Sequence, residues 1–192
     1  MMRVIAGEKR HLHLKAVPGD AVRPTQDITK ETLFNVINPY IAGSSFLDLF
    51  SGTGAIGIEA MSRGAKKVVM VDNSPASIAV MKENLHTTGL TERARVYSAD
   101  AVGVIKLLEA ENEAFDFIFM DPPYNHEHEK RVLEKLSGSV LVNDETWIIV
   151  EASNATDLGY VPDLGFEIFK EKIYKTNKHV FIRTKSKKQE DI

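Results

Sequence analysis

The sequence has no cysteine in 192 residues, which excludes a disulfide framework, an iron–sulfur cluster, a thiolate zinc site and a cysteine nucleophile, and accords with a reducing compartment. It has no apolar run near the roughly 20 residues that span a bilayer, and its opening MMRVIAGEKRHLHLK lacks the apolar stretch of a secretory signal. A cytoplasmic location, away from any membrane, is expected. There are no internal repeats and no low-complexity tracts. What is present is an ordinary globular mixture, 43% hydrophobic and 27% charged, enough for one core that buries roughly 70% of the unfolded chain's surface. The net charge of -3 hides a division, because residues 1–31 carry +2, residues 32–169 carry -10 and residues 170–192 carry +5. An acidic body with basic ends is no general polyanion binder, but ends folded beside a site would lend it cationic patches. The final KSKKQEDI reads as a solvated tail.

The first thirty residues hold short alternating pieces, RVIAG and HLHLKAV, with Pro18, Gly19 and Asp20 behind them, the pattern of a small β-hairpin extension. A helix follows over RPTQDITKETLFNVINPYI, capped by Thr25 or Asp27, apolar at Ile28, Leu33, Phe34, Val36 and Ile37, and stopped by Pro39. From Gly43 strands and helices alternate. SFLDLF, KKVVMVD, ARVYSAD, FDFIFMDPPY and ETWIIVEAS read as strands, and the segments between them as helices closed by Gly64, Gly89 and Gly138. Continuous Val, Ile and Phe runs imply strands buried on both faces, hence a doubly wound, mostly parallel α/β sheet. Trp147, Phe117 and Phe119 are expected in its core. GFEIFKEKIYKTNKHVFIRTK has no helix between its two alternating segments, so an antiparallel hairpin should complete one edge.

In such a sheet ligands bind at the carboxyl ends of the strands. After the first strand stand Asp48, Phe50, Ser51, Gly52, Thr53, Gly54 and Gly57. The glycines permit a tight turn and close backbone approach, and the helix behind them offers free N–H groups. Their G-x-G-x-x-G spacing is a weak signal alone. Asp72, beside Asn73, ends the second strand, where it can accept from both hydroxyls of a ribose. Nicotinamide dinucleotides and S-adenosylmethionine both remain admissible at this point. Asp48 tips the balance, because a carboxylate there repels a pyrophosphate but suits a cationic amino-acid group. Asp100, followed by Ala101, ends the third strand and can take the exocyclic amine of adenine.

The fourth strand ends in Asp121-Pro122-Pro123-Tyr124. Two prolines stiffen the exit and withhold N–H groups, leaving carbonyls as acceptors. An exocyclic base amine is a poor nucleophile because its lone pair is delocalised into the ring. Acceptors at its two N–H bonds, the Asp121 carboxylate and the Pro122 carbonyl, would orient it towards a sulfonium methyl, and Tyr124 offers a face for a base drawn from its stack. Asp121 then acts by orientation and charge, with proton acceptance secondary.

On these residues the chain resembles the class I methyltransferases with a (D/N)PP(Y/F) motif, and among them the RsmD-like family, which methylates N2 of guanine 966 in small-subunit (16S) ribosomal RNA. The similarity runs from Val4-Ile5-Ala6-Gly7 to the terminal hairpin, and is most specific at Arg23-Pro24-Thr25, Asp27 and Glu31-Thr32-Leu33-Phe34. It implies a Rossmann-like fold with a mostly parallel seven-stranded sheet, a C-terminal antiparallel hairpin strand and a small N-terminal β-extension. The implied division is an RNA-contacting extension at 1–30, a methyltransferase domain at 31–185 and a tail at 186–192. S-adenosylmethionine is the implied donor, the assembled or assembling 30S subunit the substrate, and a monomer the implied state. RNA would be held by Arg3, Lys9, Arg10, Arg23, Pro24, Thr25 and Lys30. The chain departs from the family where an Arg-Gly-Arg run is common, reading Arg10-His11-Leu12, and Lys30 stands where arginine is frequent; lysine does not grip phosphate bidentately.

Other readings stay open. The same tetrapeptide serves methylation of adenine N6 in DNA or RNA, which would call for a separate recognition domain. An NAD-dependent oxidoreductase leaves the tetrapeptide unexplained, and a non-catalytic RNA-binding assembly factor would tolerate loss of Asp121. His126 and His128 lack further matched ligands, so no metal site is expected.

Overall fold

Strands that are apolar on both faces need a covering layer on each side, and the computed structural model has helices on both sides of one sheet. The structure describes residues 2–18, 25–123 and 127–185, leaving aside the side chains of residues 25–27. In chain order the elements are α1 (Thr25–Ile41), β1 (Ser45–Asp48), α2 (Ala55–Ser62), β2 (Lys67–Asp72), α3 (Pro75–Thr88), β3 (Ala94–Ser98), α4 (Ala101–Ala110), β4 (Phe117–Met120), α5 (His128–Leu136), β5 (Trp147–Ser153), β6 (Phe166–Ile173) and β7 (Asn177–Thr184). The sheet order is β3-β2-β1-β4-β5-β7-β6. β7 pairs antiparallel with both β5 and β6, so it alone runs against the other six strands. The expected fold is therefore the observed one, with the terminal hairpin inserted so that its second strand, not its first, adjoins β5.

Alternation along the strands sorts the core into two layers. Leu47, Val69, Ile118 and Ile148 pack with Ile105 and Leu108 of α4 and Val132 and Leu136 of α5. Phe46, Val68, Phe117 and Ile149 pack with Leu33 and Phe34 of α1, Ile58 of α2 and Met81 of α3. Trp147 is only partly buried, in a ring cluster with Tyr40, Phe117, Phe169 and Phe181. Helix ends follow local chemistry. Ser74 caps α3 by accepting from the Ser77 N–H at 3.3 Å, Pro75 occupies its first turn, and Gly89 closes it at φ +67°.

Pro39 does not stop α1, which continues to Ile41. A proline in the last turn forfeits a single backbone hydrogen bond, and buried Ile41 packs beside Ile37 in the core, so burial outweighs that loss. The N-terminal extension is a loop closed by one antiparallel bridge, Arg3 to His13, with Val4 N–H donating to the Leu12 carbonyl and Leu14 N–H to that of Met2, each at 2.9 Å. Val4 and Leu14 are buried against the α1–α3 layer. The loop is tied to α2 through Glu59, fully buried, whose carboxylate accepts from Ile5 N–H at 2.8 Å, Ala6 N–H at 3.0 Å and Arg63 Nε at 2.8 Å. Gly7 (φ +82°) lies so close to α2 that an added Cβ would stand 1.8 Å from the Ser62 carbonyl oxygen. Gly19, Asp20 and the tail at 186–192 lie outside the described residues.

Candidate active site

β1 delivers Asp48 to the carboxyl edge of the sheet, in register with Met70 of β2 and Phe119 of β4. Gly52 (φ +51°) and Gly54 (φ +79°) then turn the chain through the left-handed region into α2, whose first turn has no side-chain cap. Gly57 serves packing: a Cβ there would lie 2.4 Å from Met70 Cε and 3.0 Å from Val68 Cγ1, so its absence brings α2 down onto β2. Asp72 is gripped by the turn, accepting from Gly52 N–H and Ser74 N–H at 2.8 Å each. Each oxygen of that carboxylate keeps a second lone pair for a ligand.

Asp48 is fully buried, and neither carboxylate oxygen has a hydrogen-bond partner. Burial pushes its carboxyl up to about 7, with the charge of Asp72 adding to the rise. The nearby Ser51 hydroxyl and the N–H groups of Phe50 and Gly57 offset part of it without completing a hydrogen bond. A buried acid with two orphaned acceptors beneath a glycine turn is costly in isolation; Asp48 stands behind Leu49 and Phe50, which line the cavity beside the turn, and does not line it itself.

Beside the turn opens a cavity of about 480 Å³. Of the residues expected to hold a cofactor, Phe50, Asp72, Asn73, Asp100 and Ala101 line it. Asp100 also caps α4, accepting from Gly103 N–H at 2.9 Å through Oδ1, so one of its oxygens serves the helix. Ser51 stitches β1 to β2, because its hydroxyl donates to the Asp48 carbonyl at 2.8 Å and accepts from Val71 N–H at 3.0 Å. The Thr53 carbonyl accepts from Asn84 Nδ2 at 2.9 Å. Sequence reasoning missed the far wall, made by His128, Arg131 and Lys135 of α5. Their i, i+3, i+7 spacing marks one helical stripe beside the buried Val132, Leu133 and Leu136.

Asp121 follows β4 directly and is exposed at the rim, with Pro122 buried and Pro123 exposed behind it; Tyr124 lies outside the described residues. Crowding by the strand ends, together with the carboxylates of Glu151 and Asp48, pushes the Asp121 carboxyl well above the usual range. Glu151 on β5 was also missed. Its Oε1 accepts from Asn177 Nδ2 at 2.6 Å, and its Oε2 lies 3.1 Å from Nε2 of His179, a ring that is 1% exposed. The Tyr174 hydroxyl is 3.0 Å from Nδ1 of the same ring.

The family model described as conserved hypothetical protein 95 matches residues 2–183. The chain belongs to that family. Over 157 residues it is 40% identical to YlbH of Bacillus subtilis, covering 82% of this chain and 85% of that one. It is 33% identical over 173 residues to the Haemophilus influenzae protein named ribosomal RNA small subunit methyltransferase D, covering 89% and 88%. Among solved structures, yhhF of Escherichia coli superposes with a TM-score of 0.83 at 29% identity, covering 96% of this chain and 98% of that one. The family is one of methyltransferases, and the match runs from the N-terminal extension to the last residue but one of β7.

Of the residues expected to touch RNA in this family member, Arg3 and Arg10 are exposed and Lys9 is partly buried, while Arg23, Pro24 and the Thr25 side chain lie outside the described residues. Lys30 needs correction. It is 6% exposed, its ammonium 2.6 Å from the Arg3 carbonyl and 3.5 Å from Glu59. The charge is satisfied inside the fold, where it fastens the extension to α1 and α2. Among the described residues no group of three or more His, Asp or Glu could hold a metal, and no helix is long and apolar enough to cross a membrane.

Proposed function

We propose that the protein transfers a methyl group from S-adenosylmethionine to the exocyclic N2 of a guanine in small-subunit ribosomal RNA, within an assembled or assembling subunit. The observation that carries this reading is the unpartnered Asp48 carboxylate standing at the same sheet edge as the Asp121 corner. Bound there, the donor would supply a sulfonium methyl activated for displacement. Asp48 answers its cationic amino-acid end, Asp72 its ribose hydroxyls, and the second oxygen of Asp100 its adenine amine. Phe50 and the α5 stripe close the cavity over it. A nicotinamide dinucleotide fits less well, since its pyrophosphate would meet Asp48.

Asp121 and the Pro122 carbonyl hold the two N–H bonds of the target amine, so that its lone pair faces the methyl. As the new N–C bond forms and the C–S bond breaks, the amine becomes acidic and gives up one proton, to Asp121 or to water. Catalysis is then mostly orientation and charge placement. Tyr124 supplies the stacking face, and Arg3, Lys9 and Arg10, with Arg23, Pro24 and Thr25, hold the RNA backbone. The protein acts as a monomer in the cytoplasm. The names of the relatives direct the substrate to ribosomal RNA. The test is transfer of a labelled methyl to intact small subunits and to stripped RNA, followed by mapping of the modified nucleotide. One labelled guanine is expected; a preference for duplex DNA or free guanosine would overturn the reading.

A further inference from the structure

Among the described residues, the Glu151 cluster is the group of largely buried polar and titratable side chains next to Asp121 that the reaction above leaves unused. Met120 pairs with Val150, so Asp121, just past the end of β4, comes beside Glu151 of β5, whose charge it feels. On its other side Glu151 is in register with His179 of β7. His179 stands edge-on to Phe119, with ring centroids 6.3 Å apart. A neutral imidazole that donates from Nε2 to a carboxylate must accept at Nδ1, and the Tyr174 hydroxyl is placed to donate there. The Tyr174 phenol, half-buried, is pushed up to about 12, by burial first and by Glu151 second, so it stays a donor at neutral pH.

Every member of this cluster donates towards Glu151 or supports a group that does. The result is a carboxylate held in one orientation by two donors, one on each oxygen, with 17% of its side chain still exposed. Each oxygen retains a lone pair. Glu151 satisfies the buried Asn177 and His179, yet it also stands next to Asp121 and repels it. An acid fixed against such a cost, with an open edge, is an acceptor awaiting a donor.

The donor follows from the base. Guanine carries N1–H directly beside its N2 amine, so two adjacent acceptors are needed. Adenine carries an unprotonated N1 beside its N6 amine, and an acceptor there would face another acceptor. We infer that Glu151, oriented by Asn177 and His179, accepts the N1–H of the target guanine and thereby selects guanine over adenine. The inference rests on the guanine reading above and assigns a specificity residue to it.

Replacing the target guanine by 2-aminopurine keeps the 2-amino group but leaves N1 without a proton. Wild-type protein should methylate the 2-aminopurine substrate about 10- to 150-fold less efficiently in kcat/KM, the range of one charge-assisted hydrogen bond. In E151Q, whose amide can present an N–H to that unprotonated N1, transfer to guanine should fall while the guanine to 2-aminopurine ratio shrinks to within about threefold. A purely structural Glu151 would lower both substrates together and leave the ratio unchanged, which would overturn the inference. Donor affinity measured by calorimetry, together with the melting temperature, shows whether E151Q is folded. Should it fail to fold, the wild-type ratio decides alone, and equal rates on the two bases refute the assignment. If the wild-type methyl maps to an atom other than guanine N2, the underlying reading fails, and that outcome is distinct from both.

Discussion

Asp48→Asn removes a buried charge and keeps the shape, so its effect on stability can be worked out. In the unfolded chain this carboxyl ionises near 3.8, and in the folded protein near 7. Below pH 3.8 both states are protonated and the carboxyl adds no penalty. Between the two values the unfolded chain is ionised while the folded one holds its proton, so stability falls as pH rises. Above 7 the loss is complete. At about 1.4 kcal/mol for each tenfold change in the ionisation constant, it amounts to about 4 kcal/mol. Asparagine carries a constant burial cost and no such slope. Without the donor, D48N should therefore gain about 4 kcal/mol relative to wild type between about pH 4 and about pH 8, read as the difference in urea-unfolding free energies across that range. On the proposed reading D48N should also bind the donor more weakly, because the lost charge is the one set against the donor's cationic end. A stability difference that is flat with pH would refute the account of Asp48 as a destabilising acid kept for its ligand.

Three further outcomes follow from the rim and the extension. Asp121→Ala should lower kcat by about 100-fold or more while donor affinity, measured by calorimetry, stays near wild type. The acid limb of the kcat profile should lie above the ordinary carboxylate range, since Asp121 must ionise to accept an N–H, and E151Q should move that limb to lower pH by removing a negative neighbour. Gly7→Ala drives a Cβ into the Ser62 carbonyl from a left-handed backbone, and should cost about 1–3 kcal/mol, with faster hydrogen exchange across residues 2–17.

Strand and helix order was legible because the central strands are apolar runs and a helix such as α3 carries its own start and stop, at Ser74 and Gly89. The glycine turn and the aspartates were legible because they follow strands directly, where topology alone places ligands. Lys30 was misread because its burial depends on Glu59, 29 positions further along, and on a loop folding back over both. Glu151 and His179 escaped notice for a similar reason: 28 residues separate them, and only the pairing of β5 with β7 makes them neighbours. Asp100 shows the limit of single-residue inference. A cap and a ligand acceptor look alike in sequence, and in the fold this residue lines the cavity while it caps the helix.

Whether donor and base meet at one edge of this sheet is decided most directly by a crystal structure with the spent donor, S-adenosylhomocysteine. Its amino group should lie on Asp48, its ribose on Asp72, and its sulfur should face the Asp121 corner. A nucleoside bound elsewhere, or a sulfur turned away from Asp121, would contradict the account.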